Sequence, residues 1–275
     1  MDRKAIARET LEILDRGWYD GPAGRVDIRE AHRASVEKSR FIPAEETPAL
    51  PPHTGEGKTR FSLWDCSTVR AVLELAGQGA EKVGVLNFAS AKNPGGGFLN
   101  GAMAQEESLA ASGGLYRTLT PHEGYYRRNR ACGTMMYTGC AIYSPDVMFF
   151  RDEKFRLLPR PVTASVLTLP AVNLGQVMQK GEDLPAARAA MRGRMARALE
   201  LFGAMGDRTL VLGAYGCGVF RNDPRQVARW WRELLAEPAF ADRFPRVVFA
   251  VLDGSRSQSC HAAFWEELGP LAKEG

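Results

Sequence analysis

Four short runs in this 275-residue chain are apolar at nearly every position: KVGVLNF (82–88), VTASVLTL (162–169), TLVLGAY (209–215) and RVVFAVL (246–252). A strand wet on one side alternates apolar and polar residues, so a run without alternation needs cover on both faces. Helical patterns separate the runs. Residues 68–76 follow a Ser67 or Thr68 cap; further helices read over residues 103–119, from Pro185 to about Met205, over residues 224–235 and from Ser259 onward. Such alternation predicts an α/β chain, a three-layer α/β/α sandwich around a mixed, largely parallel sheet. CAIYSPDVMFF (140–150) reads as one more strand, interrupted at Ser144-Pro145.

Ahead of this body, residues 3–18 and 28–38 have the period of amphipathic helices, and TPALPPHTGEGK (47–58) is a Pro/Gly-rich connector. The expected division is a helical extension, residues 1–60, packed on a catalytic unit, residues 61–275. MDRKAIARETLEILD has no apolar stretch of signal-peptide length, and no later segment approaches ~18 uninterrupted apolar residues. A cytoplasmic protein without a membrane partner is expected. Cys66, Cys132, Cys140, Cys217 and Cys260 are odd in number and never form a CxxC pair, which fits neither a disulfide framework nor a zinc knuckle. His32, His53, His122 and His261 lack HxxxH or HxH spacing, so no metal and no cofactor is expected. A net charge of +4 suits an acidic ligand but is no signature of sequence-specific nucleic-acid binding.

Ligands of such sandwiches sit beyond the carboxyl ends of the strands. Two glycine loops have that position: Gly95-Gly96-Gly97 after the first run, and Gly213, Gly216 and Gly218 after the third. Glycine allows positive φ and close approach of backbone N–H groups to an anion, and a helix start behind the loop adds roughly 0.3–1 kcal/mol. One such loop is also an ordinary turn; two at equivalent positions point to a diphosphate. Neither carries the Gly-Lys-Ser/Thr of a phosphate-hydrolysing loop, and GGGFLNG misses the dinucleotide pattern and its acidic partner. NTP hydrolysis and nicotinamide chemistry therefore fit poorly. Seven residues beyond the glycines stand Gln105, Glu106 and Glu107. Neighbours on a helix point about 100° apart, so the two acids cannot oppose each other across a bond at the ~5–5.5 Å of ordinary retaining glycosidases; at most one is the acid/base. By periodicity alone the trio equally serves as a wet helix start that complements the macrodipole.

Other residues have plain readings. Cys217 has no histidine nearby in sequence and reads as a small packed residue rather than a nucleophile. Asn87 and Asn93 are placed to orient a ribose, although an Asn before Pro-Gly also makes turns. Arg127, Arg128 and Arg130, beside Tyr125 and Tyr126, read as a solvated loop, and the pairs Met135-Met136 and Trp230-Trp231 as packing residues.

VLNFASAKNP, then GGG, seven residues and QEE, with GAYGCGVF far downstream, resembles the bacterial type of poly(ADP-ribose) glycohydrolase, which is built on a macrodomain. The resemblance runs from about residue 61 to the carboxyl terminus, and the arm before it is similar to that family's amino-terminal extension. It implies a macrodomain-like fold and cleavage of the ribose–ribose bonds of poly(ADP-ribose) to release ADP-ribose. Glu107 matches the residue that protonates the departing ribose oxygen and then takes a proton from water; Glu106 matches one that contacts ribose hydroxyls. Gly95, Gly96 and Gly97 match one diphosphate loop, and Tyr215, Gly216, Cys217, Gly218 and Val219 the other. Phe220 matches a residue on the adenine side, and Asn93 and Gln105 join the substrate-binding set. Implied partners are poly(ADP-ribose), ADP-ribose and poly(ADP-ribosyl)ated proteins, for a monomer that reverses ADP-ribosylation, including in the DNA damage response. Two alternatives share the fold: a non-catalytic ADP-ribose reader, and a hydrolase of another ADP-ribose derivative.

Overall fold

The computed structural model describes residues 2–52 and 57–272. Numbered along the chain, its central sheet runs β3 (Arg40–Ile42), β6 (Ala141–Arg151), β7 (Leu157–Leu169), β5 (Val83–Phe88), β8 (Thr209–Leu212), β9 (Arg246–Ala250) and β4 (Arg60–Trp64) from edge to edge. β5 is parallel to both β7 and β8, and β9 to both β8 and β4; β6 is antiparallel to β3 and β7. The sheet is mixed and largely parallel, as expected.

Strand parity divides the core. Leu86, Leu210, Leu212, Val247 and Phe249 point to one layer, built from α7 (Leu174–Lys180), α8 (Leu184–Met205), α9 (Pro224–Ala236) and α10 (Ser259–Ala272). Val83, Val85, Val211 and Val248 point to the other, built from α3 (Thr68–Gly77), α4 (Gln105–Ser112), α5 (Leu115–Leu119) and α6 (Glu123–Ala131). The uninterrupted apolar runs are thus explained, because successive side chains feed opposite cores. Asn87 shares the parity of Val83 and Val85, which aims it at the α4 layer. Against that layer also rests α1 (Arg3–Arg16), whose Thr10 hydroxyl donates to the Ala111 carbonyl at 2.9 Å.

Several expectations need correction. The helix expected over residues 103–119 breaks into α4 and α5 at Gly113, where the chain presses on β6. A Cβ on Gly113 would stand 1.9 Å from the Met148 carbonyl oxygen. The arginine run expected as a loop lies on α6, because Tyr125 and Tyr126 are fully buried beneath it while Arg128 pairs with Glu45 and Arg130 with Glu123. Strand β6 passes through Ser144-Pro145, absorbing the proline in a register shift between Ser144 and Val147. The first 60 residues hold α1 and α2 (Arg29–Lys38), but also a hairpin of β1 (Trp18–Gly21) and β2 (Gly24–Asp27), and they contribute β3 to the main sheet. Residues 53–56 of the expected connector, with His53, lie outside the described residues. Among the described residues no helix is long and apolar enough to cross a membrane.

The contact at Gly113 is with backbone, which cannot swing aside. Gly113→Ala is therefore expected to destabilise the protein by about 2–4 kcal/mol, read by denaturant unfolding. A change below about 0.5 kcal/mol would mean that β6 and α4 separate freely at this point.

Candidate active site

Beyond the carboxyl ends of β5, β8 and β9 lies a cleft of about 980 Å³. Its floor depends on Gln105, first residue of α4. The Gln105 amide oxygen accepts from Phe88 N (2.8 Å), and its NH₂ donates to Leu86 O (2.8 Å) and to the Thr68 hydroxyl (3.2 Å). The side chain thus continues the hydrogen bonding of β5 and fastens the start of α4 to it.

That anchorage turns the next two residues inward. Glu106 and Glu107 are only 3% and 9% exposed, so the reading of a wet helix start is ruled out. Glu106 Oε2 accepts from Ser90 N at 2.6 Å, and Oε1 from the Asn87 amide at 3.2 Å; the same amide reaches the Thr168 hydroxyl at 3.1 Å on the neighbouring strand. Glu107 Oε1 accepts from Gly97 N at 2.8 Å, and Oε2 from Ala104 N at 3.0 Å. The second bond is the returning half of a capping box, whose other half Ala104 has no oxygen to make.

Gly96 explains the bare backbone. With φ at +59°, its Cβ would stand 2.3 Å from Glu107 Oε1 and 3.1 Å from Glu106 Oε2, so both carboxylates occupy the space a side chain would need. In the second loop, Gly216 (φ +73°) is equally confined, a Cβ there falling 2.7 Å from the Asn222 amide nitrogen. Asn222 holds the loop closed by donating to Gly216 O and Val172 O at 3.0 and 2.9 Å.

Of the residues expected to contact substrate, Asn93, Gly96, Gly97, Gln105, Gly216, Cys217, Gly218, Val219 and Phe220 line the cleft together with Glu106 and Glu107. Gly95 and Tyr215 lie beneath it. Gly95 is buried with φ at +64°, and Tyr215 donates its hydroxyl to Leu169 O at 2.9 Å while its ring packs 5.6 Å from that of Phe88. Asn87 does not reach the cleft wall either; it is fully buried and acts on Glu106. The Cys217 thiol turns inward toward Tyr215 O (3.7 Å), and burial pushes its pKa well up, which disfavours a thiolate. Sequence reading missed Ser90, Leu252, Asp253, Cys260 and Arg3, all on the wall. Arg3 comes from a distant segment without a local motif, whereas Ser90 follows β5 inside VLNFASAKNP, and Leu252 ends the run RVVFAVL just ahead of Asp253. Asp253 is held down to about 2, first by the Ser255 hydroxyl and then by backbone N–H groups.

Burial is the largest influence on Glu106 and raises its carboxyl from 4.5 to about 8; the Glu107 charge raises it too, against the lowering effect of the Ser90, Asn87 and Gly95 donors. The folded protein keeps this proton between pH 4.5 and about 8, where the unfolded chain has lost it. Stability from this group therefore falls as pH rises through that window. The melting temperature of Glu106→Gln relative to wild type is expected to climb between about pH 5 and 8 and then level off. A flat difference would mean that Glu106 ionises near its ordinary value.

Known proteins share this fold. Residues 7–152 match the catalytic domain of the microbial-type PARG family. The chain is 40% identical to a solved poly(ADP-ribose) glycohydrolase from Thermomonospora curvata, with a TM-score of 0.91 over 96% of this chain and 98% of that one. The same organism's enzyme bound to the inhibitor ADP-HPD is 42% identical, with a TM-score of 0.89 over 96% of this chain and 98% of that one. The glycohydrolase from Deinococcus radiodurans in complex with ADP-ribose is 42% identical, with a TM-score of 0.83 over 90% of this chain and all of that one. Comparison with curated proteins returned no match.

Proposed function

The chain belongs to the microbial-type poly(ADP-ribose) glycohydrolases, and from that premise we propose how its residues divide the work. It is a glycoside hydrolase that cleaves the ribose–ribose O-glycosidic bonds of poly(ADP-ribose) and releases ADP-ribose. In our reading the diphosphate of the terminal unit lies between the loop at residues 95–97 and the loop at residues 216–219. Its adenine lies toward Phe220, and its distal ribose against Glu106 and Glu107. Glu107 protonates the departing ribose oxygen and then takes the proton from the attacking water, while Glu106 binds ribose hydroxyls. One observation carries the choice between the acids. Glu107 faces both the cleft and a small void on its Met103 and Arg3 side, whereas Glu106 faces the cleft alone, tied to Asn87 and Ser90. The departing group leaves past Glu107, toward Met103 and Arg3 on the cleft wall.

The chemistry is coherent with one acid/base. Positive charge develops at the anomeric carbon beside an anionic diphosphate, so the substrate supplies part of the stabilisation that an opposed carboxylate supplies elsewhere. Burial keeps the Glu106 carboxyl protonated up to about pH 8, so Glu106 places no fixed negative charge beside Glu107 near neutral pH. Proton transfer contributes about 10²- to 10⁴-fold, and positioning the remainder. A non-catalytic reader would need the cleft but not two buried carboxyls, whose desolvation costs stability.

The same reading makes the partners poly(ADP-ribosyl)ated proteins and the protein a cytoplasmic monomer that reverses ADP-ribosylation, including after DNA damage. Cysteines 66, 132, 140, 217 and 260 are free thiols, which supports a reducing compartment.

Glu107→Gln preserves shape and removes the proton. Release of ADP-ribose from the polymer is expected to fall at least about 10²-fold, with ADP-ribose still bound in calorimetric titration. Hydrolysis persisting near the wild-type rate would move the acid/base role away from Glu107.

A further inference from the structure

We propose that Arg3, carried to the cleft by the first turn of α1, is a specificity residue for the polymer, its guanidinium binding a phosphate of the departing ADP-ribose unit. The inference rests on the glycohydrolase reading above. Strand order sets the direction of the substrate. The diphosphate loops follow β5 and β8 in mid-sheet, and the cleft reaches Leu252 and Asp253 beyond β9 at one end. At the other end it passes Glu107 and meets Met103, Asn100 and Arg3. A chain whose terminal unit fills the middle of the cleft continues past Glu107 at that second end.

Arg3 is held there and kept unpaired. The Thr10 bond to Ala111 and an Asp15–Arg117 ion pair of 2.6 Å fasten α1 to α4 and α5. At Gly101 (φ +75°) the chain closes on α1, so that a Cβ would stand 3.3 Å from Arg3 Cβ and 3.1 Å from Lys4 Cγ. Arg117, Arg128 and Arg130 all have carboxylate partners, whereas among the described residues neither Arg3 nor Lys4 makes an ion pair. Two cations in the first turn also oppose the helix dipole, and the nearby acid, Asp2, is occupied in capping Lys4 N and Ala5 N. A local preference broken without an internal partner, on the wall of the catalytic cleft, points to a ligand. The ligand chemistry follows from the reaction. The departing oxygen and the diphosphate are borne by the same ribose ring of the departing unit, so an anion comes within one sugar of Glu107. A guanidinium is the side chain suited to grip phosphate oxygens in pairs.

Two substrates separate the roles: poly(ADP-ribose) of defined length, and ADP-ribose joined at its distal anomeric carbon to a small neutral alcohol. Only the first has a phosphate beyond the scissile bond. For Arg3→Gln, kcat/KM on the polymer is expected to fall about 3- to 10-fold through KM, and further for Arg3→Glu, with Arg3→Lys recovering part of the loss. On the neutral-alcohol substrate each variant should keep its ratio to wild type near one. Raising salt should increase the polymer KM of wild type more steeply than that of Arg3→Gln. Equal losses on both substrates, or no loss on the polymer, would overturn the inference. A wild-type protein that releases no ADP-ribose from polymer would overturn the glycohydrolase reading and the inference with it.

Discussion

Two carboxyl groups on one helical turn, nearly out of water, press against a backbone that has no side chain at Gly96. Each oxygen taken from water requires a donor in exchange. Ser90 N and the Asn87 amide serve Glu106, and Gly97 N and Ala104 N serve Glu107. The start of α4 adds its dipole. Donors on three segments must therefore be in register at once, which is why Gln105 bonds to β5 so closely. The glycines and the acids form one arrangement: add a Cβ at Gly96 and the carboxylates have no room.

The fold delivers this arrangement through features remote from it. Parity on β5 turns Asn87 toward α4, and Thr168, its partner on β7, holds the amide. The break at Gly113 sets where α4 stops, and Thr10 of α1 ties down its last turn. A contrast shows that a raised pKa does not by itself mark the site. Asp207 is also pushed up, to about 7, mainly by burial, yet it sits beside Gly84 at the opposite end of β5 and accepts from the Tyr143 hydroxyl at 2.9 Å. Convergence on a cleft with backbone donors distinguishes Glu106 from Asp207.

What could be read in the sequence was what is local in it. The apolar runs of β5, β8 and β9 and the cap at Ser67 need only neighbouring residues, and the same holds for the glycines, QEE and the second loop. β3 has three residues and β4 is an edge strand of intermediate burial, so neither shows a full apolar pattern. The break at Gly113 depends on Met148, 35 positions away in the numbering, and the burial of Tyr125 and Tyr126 that makes α6 a helix depends on the second core layer. Arg3 joins the cleft only through the packing of α1 against α4 and α5. Long-range packing left no trace in any short window.

The glycine loop and the carboxylates share one space. This is tested most directly by the rate at which a Gly96→Ala protein releases ADP-ribose from poly(ADP-ribose), provided the variant melts close to wild type. A Cβ placed 2.3 Å from Glu107 Oε1, at a φ of +59°, must displace the acid, and turnover should fall at least about 10²-fold. A folded Gly96→Ala protein that turns over polymer at the wild-type rate would contradict the account, because the glycines would then only turn the chain.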